Sequence, residues 1–394
     1  MAEFRPAMAR TLRFDIVLAW SVALGCAAAC GASGEFTGGD AGTEYASGDS
    51  GKASGSSSGG GGDSSVTDTG ASGDGPATTC STCPTGYACG TANGLAVCRA
   101  ASGIPLFTNV YVVLMENTSL ATLTPAMTGG TAPNLEALAK KYATGSDYHG
   151  VSHPSLPNYI ALTSGGTQGV GCDGHPQADA GSCNALDCNL LLGSCSCLTT
   201  AMNLADQLEA AQLTWMDFGE DMGTPCNLVD SGNYAVRHNP FLYYEDVQGN
   251  MSRCTSHVVD YKAFDPTHPA KFDFIAPNLV DDMHNPDPTN STNIPDGDKW
   301  IGPNVGAILA SSGYTSGGLV VVVWDEDDGS GGITGTDDPV PIFVMSPYAK
   351  GNGYVSATKG DHYALLATIE DGLGVGRLGS AMGATPLVDY FPAN

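Results

Sequence analysis

Residues 110–117 read VYVVLMEN, six apolar positions closed by Glu116 and Asn117. An unbroken apolar run rich in β-branched residues, with no alternation, describes a strand buried on both faces. Four further runs have the same character: 213–218 (LTWMDF), 272–276 (FDFIA), 319–324 (LVVVVW) and 340–345 (VPIFVM). Between them, Thr131 and Pro133 open a helix whose Leu135, Leu138, Ala139 and Tyr142 fall on one face. Further helices are expected at 157–164, 200–211, 300–311 and 362–371. Strands that must be covered on both sides and alternate with helices predict an α/β chain, a three-layer α/β/α sandwich around a mostly parallel central sheet.

Ligands of such sheets gather beyond the carboxyl ends of the strands. The first strand ends in Glu116 and Asn117, the second in Asp217 with Glu220 just after, the third runs toward Asp281, Asp282 and His284, and the fourth ends in Asp325, Glu326, Asp327 and Asp328. One early and one late acidic end are how a sheet assembles a divalent cation site from distant sequence; a solvated acidic loop is the competing reading. The segment 152–159, SHPSLPNY, has helix-start chemistry, with Pro157 preorganising the first turn. The unpaired backbone donors of such a turn attract a phosphate. Ser155 is either a helix N-cap or a nucleophile. No Gly-x-Ser-x-Gly elbow surrounds it, so activation by a metal is more natural than a serine hydrolase triad. Of eight histidines, His238, His284 and His362 follow loop-like stretches and suit a polar pocket, whereas His149, His175 and His268 read as surface residues.

The 394 residues carry 15 Lys plus Arg against 41 Asp plus Glu, a net charge of −26. That balance repels nucleic acid phosphates and excludes a basic groove unless metal ions supply positive charge. The 53 glycines are too many for a core alone and require linker. Arg5, Arg10 and Arg13 precede the apolar run IVLAWSVALG at 16–25 and then Cys26. This outlines an export signal over 1–25, too short to remain as a membrane span. Lipidation at Cys26, or at Cys30, stands beside simple secretion, so the exported chain is either lipid-anchored to the envelope or released. Residues 26–79 read as a flexible Gly/Ser-rich acidic tether, 80–103 as a small cysteine-rich segment, and 104–394 as the main folded region.

Thirteen cysteines in an exported chain favour disulfides. Cys80, Cys83, Cys89 and Cys98 are expected to form two bridges, with a zinc site at Cys80-x-x-Cys83 the weaker alternative. Two or three bridges are expected among Cys172, Cys183, Cys188, Cys195 and Cys197, and one between Cys226 and Cys254. Spacing leaves the connectivity open.

Eight blocks occur in an order that resembles a known family: VVLMENTS (112–119), HPSLPNYIALTSG (153–165), WMDFGEDM (215–222), RHNPFLYY (237–244), PNLVDDMHN (277–285), VVVWDEDDG (321–329), VPIFVMSP (340–347) and DHYALLATIEDGLG (361–374). The chain resembles the bacterial and fungal phosphoesterases that include acid phosphatases and phosphatidylcholine-type phospholipases C, a branch of the alkaline phosphatase superfamily. The resemblance implies an alkaline phosphatase-like fold and a phosphoesterase domain over 104–394. It implies that Glu116, Asn117, Ser155, Asp325 and Glu326 hold a metal, with Ser155 the nucleophile that becomes phosphorylated. His238, His284 and His362 are then candidates for proton transfer, and His153, Asn158, Glu220 and Asp282 for substrate contact. The late strand carries Asp-Glu where two-zinc members carry Asp-His. Calcium, magnesium or manganese is therefore favoured, with zinc still open.

The expected activity is metal-dependent hydrolysis of a small phosphate monoester through a phosphoserine. Phospholipase C or another lipid-headgroup phosphodiesterase is the alternative, and a non-catalytic, calcium-holding envelope protein is the alternative of another class. The oligomeric state stays open.

Overall fold

Continuous burial of apolar side chains organises the computed structural model, which describes residues 80, 82–176, 197–284, 293–328 and 338–393. The export signal, the tether and the cysteines at 183–195 lie outside the described residues. In chain order the strands are β1 (Tyr87–Ala92), β2 (Leu95–Ala100), β3 (Val110–Met115), β4 (Ala143–Gly145), β5 (Tyr148–His149), β6 (Trp215–Gly219), β7 (Val258–Asp260), β8 (Phe272–Ala276), β9 (Leu319–Trp324), β10 (Ile342–Met345), β11 (Val355–Ser356) and β12 (Gly360–Asp361). The helices are α1 (Leu120–Thr128), α2 (Pro133–Lys141), α3 (Ser155–Ser164), α4 (Leu204–Ala210), α5 (Glu245–Gln248), α6 (Met251–His257), α7 (Ile294–Ala310), α8 (Ser312–Thr315) and α9 (His362–Leu373).

The central sheet runs β11-β4-β10-β9-β3-β8-β6-β7. Its middle, β9-β3-β8-β6-β7, is parallel throughout. All residues of β3, β8, β9 and β10 are buried, as their unbroken apolar runs require. Helices α1, α2, α7 and α8 pack with one another, and α3 packs with α9 and the turn at Pro240–Tyr243. The fold is the expected mixed α/β arrangement, a central sheet flanked by helices. The fifth predicted strand is present but antiparallel to both its neighbours, β9 and β4.

Local chemistry moves several boundaries. The helix expected from 157 starts at Ser155, with Pro154 in the capping position, so Ser155 is not the N-cap. The helix expected from 200 is held back to Leu204 because Asn203 and Asp206 form a reciprocal capping box. The one expected from 300 begins at Ile294 and carries Pro303 inside it. Helix α1 has no counterpart among the expected helices. Ser119 caps it by accepting from the Thr122 amide, despite Pro125 in its interior.

The segment from Cys80 is a hairpin, β1 and β2, turning at Asn93 (φ 50°) and Gly94 (φ 78°). Left-handed conformation at both positions of an Asn-Gly pair matches the right-handed twist of the strands. Disulfides Cys80–Cys89 and Cys83–Cys98 staple it, and Cys226–Cys254 is also formed. The sulfurs of Cys80, Cys83 and Cys98 lie within 4.8 Å of one another, a grouping that suits a metal ion. Bonded as disulfides they are not thiolates, and only the reduced segment offers those ligands. The hairpin is tied to the main fold. Asn93 donates to the Ala349 and Pro347 carbonyls at 2.6 and 2.9 Å, and Arg99 donates to the carbonyls of Gly103 and Pro392 at 2.7 and 2.8 Å. No helix among the described residues is long and apolar enough to cross a membrane.

Candidate active site

Strand β3 lies between β9 and β8, so its carboxyl end sits beside the loops that leave both neighbours. The Glu116 amide donates to the Asp282 carbonyl at 2.8 Å, and the Asp325 amide to the Met115 carbonyl at 3.0 Å. Three segments distant in sequence thus present acids side by side.

Glu116 is fully buried. Its Oε2 accepts from the Ser155 hydroxyl at 2.9 Å, and its Oε1 accepts from the Tyr159 hydroxyl at 2.5 Å. Ser155 and Tyr159 sit one turn apart on α3 and so share a face. The same Oε1 lies 3.2 Å from His238 Nε2, while His238 Nδ1 lies 3.1 Å from Asp282 Oδ2. Tyr159 stacks on His238, with ring centroids 5.3 Å apart and planes inclined by 8°. Asn117 has a left-handed backbone (φ 40°), which asparagine tolerates, and its amide donates to Asp325 Oδ1 at 3.1 Å. Glu326 Oε2 meets His153 Nδ1 at 2.8 Å and accepts from Asn158 Nδ2 at 3.3 Å. His153 Nε2 lies 3.8 Å from Asp327 Oδ2. Asp328 turns instead to Ser119 and Thr122 at the start of α1.

Glu116, Asn117, His153, Ser155, His238, Asp282, Asp325 and Glu326 are therefore linked in one cluster. Four expected site residues have other protein partners. Asn158 is fully buried, and its side-chain oxygen accepts from the Val151 and Ser152 amides at 2.8 and 3.0 Å while its nitrogen donates to the Ser152 carbonyl at 2.8 Å. It pins the loop before α3 and the Glu326 carboxylate. Glu220 accepts from the Asn278 amide and the Trp300 indole, each at 3.0 Å, and stands apart from the cluster. His362 lies buried behind Asp325, with Nε2 2.7 Å from the Asp325 carbonyl and Nδ1 3.0 Å from the Tyr148 hydroxyl, so both ring nitrogens are engaged within the protein. His284 is at the edge of the cluster, its ring 6.0 Å from that of His238. Its Nε2 is 3.3 Å from Arg237 Nη2. Among the remaining histidines, His268 is exposed, whereas His149 is half-buried beside Asp147.

Sequence reasoning missed three residues. Tyr159 carried a signal, its position one turn after Ser155. Arg237 adjoins His238 on the turn Val236–His238. Asp173 accepts from the Leu156 amide at 2.9 Å, so one of the α3 donors is already capped; its sequence surroundings offered no sign of this.

Burial pushes the carboxyls of Glu116, Asp282 and Asp325 above the usual range. For Asp282 the Glu116 charge adds to burial, and for Asp325 the charges of Glu116 and Glu326 do. Burial and then Glu116 push Glu326 up to about 9. His238 is pushed down, by burial first and then by Arg237 and His284. Burial takes His362 down to about 4. Acids crowded in this way need either protons or a cation. Asn117 Oδ1, Asp282 Oδ2 and Asp325 Oδ2 are buried without a hydrogen-bond partner, Asp282 Oδ2 lying 3.1 Å from His238 Nδ1. Hard oxygen donors of this kind fit a divalent cation such as calcium, magnesium or manganese.

Residues 117–376 match the Phosphoesterase family. A phosphatidylinositol-3-phosphatase of Mycobacterium tuberculosis is 30% identical over 299 residues, covering 74% of this chain and 85% of that protein. A phosphate-repressible acid phosphatase of Penicillium chrysogenum is 26% identical over 205 residues, 50% of this chain and 43% of that protein, so the chain spans less than half of that relative's length. Among solved structures, a protein in the alkaline phosphatase superfamily from Vibrio parahaemolyticus is similar at a TM-score of 0.47 and 12% identity, covering 72% of this chain and 71% of that one. With a family match over most of the folded region and a 30% identical relative matched over 85% of its length, the chain belongs to the phosphoesterase family and is a hydrolase of that type.

Proposed function

We propose that this protein hydrolyses phosphate monoesters through a phosphoserine formed on Ser155, with a divalent cation held by Glu116, Asn117, Ser155, Asp325 and Glu326. The observation that carries the reading is the buried Ser155 hydroxyl aimed at Glu116 beside oxygens of Asn117 and Asp325 that lack partners. When bound, the cation supplies charge neutralisation for the phosphoryl group and makes the serine easier to deprotonate.

The side chains do the rest. Glu116 orients the Ser155 hydroxyl and stands where its proton leaves. Tyr159 and His238 hold Glu116 in place from its other oxygen. A bond forms from Ser155 Oγ to phosphorus as the ester oxygen departs. His153, partly exposed and held by Glu326, gives the departing alcohol its proton. Water then attacks phosphorus and gives a proton back to His153, while the P–O bond to Ser155 breaks and its oxygen takes back the proton left at Glu116.

The phosphatidylinositol-3-phosphatase among the relatives supports a headgroup phosphate as a second substrate class. The disulfides fit an oxidising, extracytoplasmic compartment. Together with the amino-terminal Arg and apolar pattern, they support an exported enzyme, anchored by lipid or secreted.

Acid quenching during turnover of a chromogenic monoester, followed by peptide mass spectrometry, tests the mechanism. Phosphate on the Ser155 peptide is expected, and turnover without it would overturn the proposal. A panel of soluble monoesters, phosphoinositide vesicles and phosphatidylcholine separates the substrate classes. Absence of hydrolysis across the panel with every cation would support the non-catalytic reading.

A further inference from the structure

The cluster is rich in acids, yet the substrate it is proposed to take carries two negative charges. Among the described residues Arg237 is a cation whose field reaches it, contributing at Glu116, Asp282 and Glu326. Other basic residues are engaged elsewhere: Arg253 pairs with Asp206, Glu209 and Asp246, Arg377 with Asp371, and Lys350 with Asp389.

The surroundings of Arg237 are unlike theirs. It stands beside His238 on the short turn Val236–His238, with 17% of its side chain exposed. Its Nε lies 3.6 Å from Asp173 Oδ2, too far for a hydrogen bond, and is buried without a partner. Its Nη2 lies 3.3 Å from His284 Nε2. A guanidinium offers five donors in a planar fork that matches two oxygens of a phosphate. Here the fork has a loose carboxylate partner and a histidine that a phosphoryl oxygen can replace.

We propose that Arg237 is a specificity-determining residue, binding the non-bridging oxygens of a doubly charged phosphoryl group and so selecting monoesters over diesters. This rests on the reading of the site as a phosphomonoesterase. A diester presents one negative charge and one fewer free oxygen, and gains less from the fork.

The test compares wild type, R237M and R237K on p-nitrophenyl phosphate and bis(p-nitrophenyl) phosphate. Inorganic phosphate binding is followed calorimetrically, and thermal melting reports folding. For R237M, kcat/KM on the monoester and phosphate affinity are expected to fall about 10- to 100-fold, the size of a lost charge-assisted contact. Diester hydrolysis is expected to change much less. R237K restores the charge without the fork and should recover only part of the loss. Equal losses on both esters with unchanged phosphate affinity, or no loss on either, overturn the proposal. Wild type that favours diesters overturns the monoester reading itself, and phosphate binding still reports on Arg237 in that case. If R237M fails to fold, R237K decides, since full monoester preference and phosphate affinity in that variant also overturn the proposal.

Discussion

Ser155 Oγ and Glu116 Oε2, 39 positions apart in the chain, meet at 2.9 Å in a fully buried contact at the end of the central strand. Had these groups been far apart, a serine activated beside a strand-end acid would have had no structural basis. The contact also makes them one unit. Ser155→Ala and Glu116→Gln should each lower kcat by roughly 10³-fold or more, and the double variant should be little worse than Ser155→Ala, because residues acting as a unit are strongly non-additive. Steady-state kinetics with thermal melts checks this. Multiplicative losses would separate their roles.

The unpartnered oxygens of Asn117 and Asp325 make a prediction that does not depend on turnover. Chelation should abolish hydrolysis, and manganese or calcium should bind the stripped protein by titration calorimetry. Asp325→Asn and Asn117→Ala should each weaken that binding by about tenfold or more, whereas His362→Phe, which removes the support behind the Asp325 carbonyl and the partner of the Tyr148 hydroxyl, should weaken it by a smaller factor. Unchanged binding in Asp325→Asn would place the cation elsewhere.

Asp217 offers a pH prediction outside the proposed metal ligands. It is fully buried on β6, and burial raises it from 3.8 to about 8, against hydrogen bonds from Asn239 and the Phe241 amide that act to lower it. An acid with a raised folded-state pKa binds its proton more tightly when folded. Its contribution to stability is complete below about pH 4 and is lost as the pH climbs toward 8. Asp217→Asn keeps an acceptor for Asn239 and removes the titration. Urea midpoints at about pH 5 and about pH 8 should therefore differ less in this variant than in wild type. Identical differences would mean that Asp217 does not titrate in this window.

The strands were legible because unbroken apolar runs have few other uses, but such a run carries no direction. The reversal of β10 could not be read from Ile342–Met345. In the site, Glu116, Asp282 and Asp325 follow adjacent segments of the sheet, so reading the strand ends found them. Glu220 follows β6, which is separated from β3 by β8, roughly 10 Å across the sheet. Strand order decides that, and strand order is a property of the folded sheet. His362 was visible as a helix start, yet nothing in DHYALL distinguishes a histidine facing substrate from one bonded behind a strand. Asn158 was read through its neighbour Ser155, with which it shares a face of α3, but its side-chain amide is taken up by the Val151 and Ser152 backbone.

Gly150 tests how tightly the late acidic end is held. A Cβ built there would stand 2.6 Å from the Asp325 carbonyl oxygen and 3.4 Å from both Asn158 Oδ1 and the Glu326 Cα. The carbonyl cannot simply retreat, because His362 Nε2 approaches it at 2.7 Å, and Asn158 is fixed by four backbone contacts. A single methyl group must therefore displace the segment carrying Asp325 and Glu326. Gly150→Ala should destabilise the fold by about 1–3 kcal/mol, the usual cost of overpacking, and should weaken cation binding in parallel. Gly306→Ala is the control, since its Cβ would meet nothing within 4 Å and lies in α7, where alanine is favoured. Chemical denaturation and calorimetry on both variants should show loss of stability and of metal affinity together at 150 and neither at 306. Stability lost at 150 with cation affinity intact would mean that the Asp325 segment yields without moving its carboxylates.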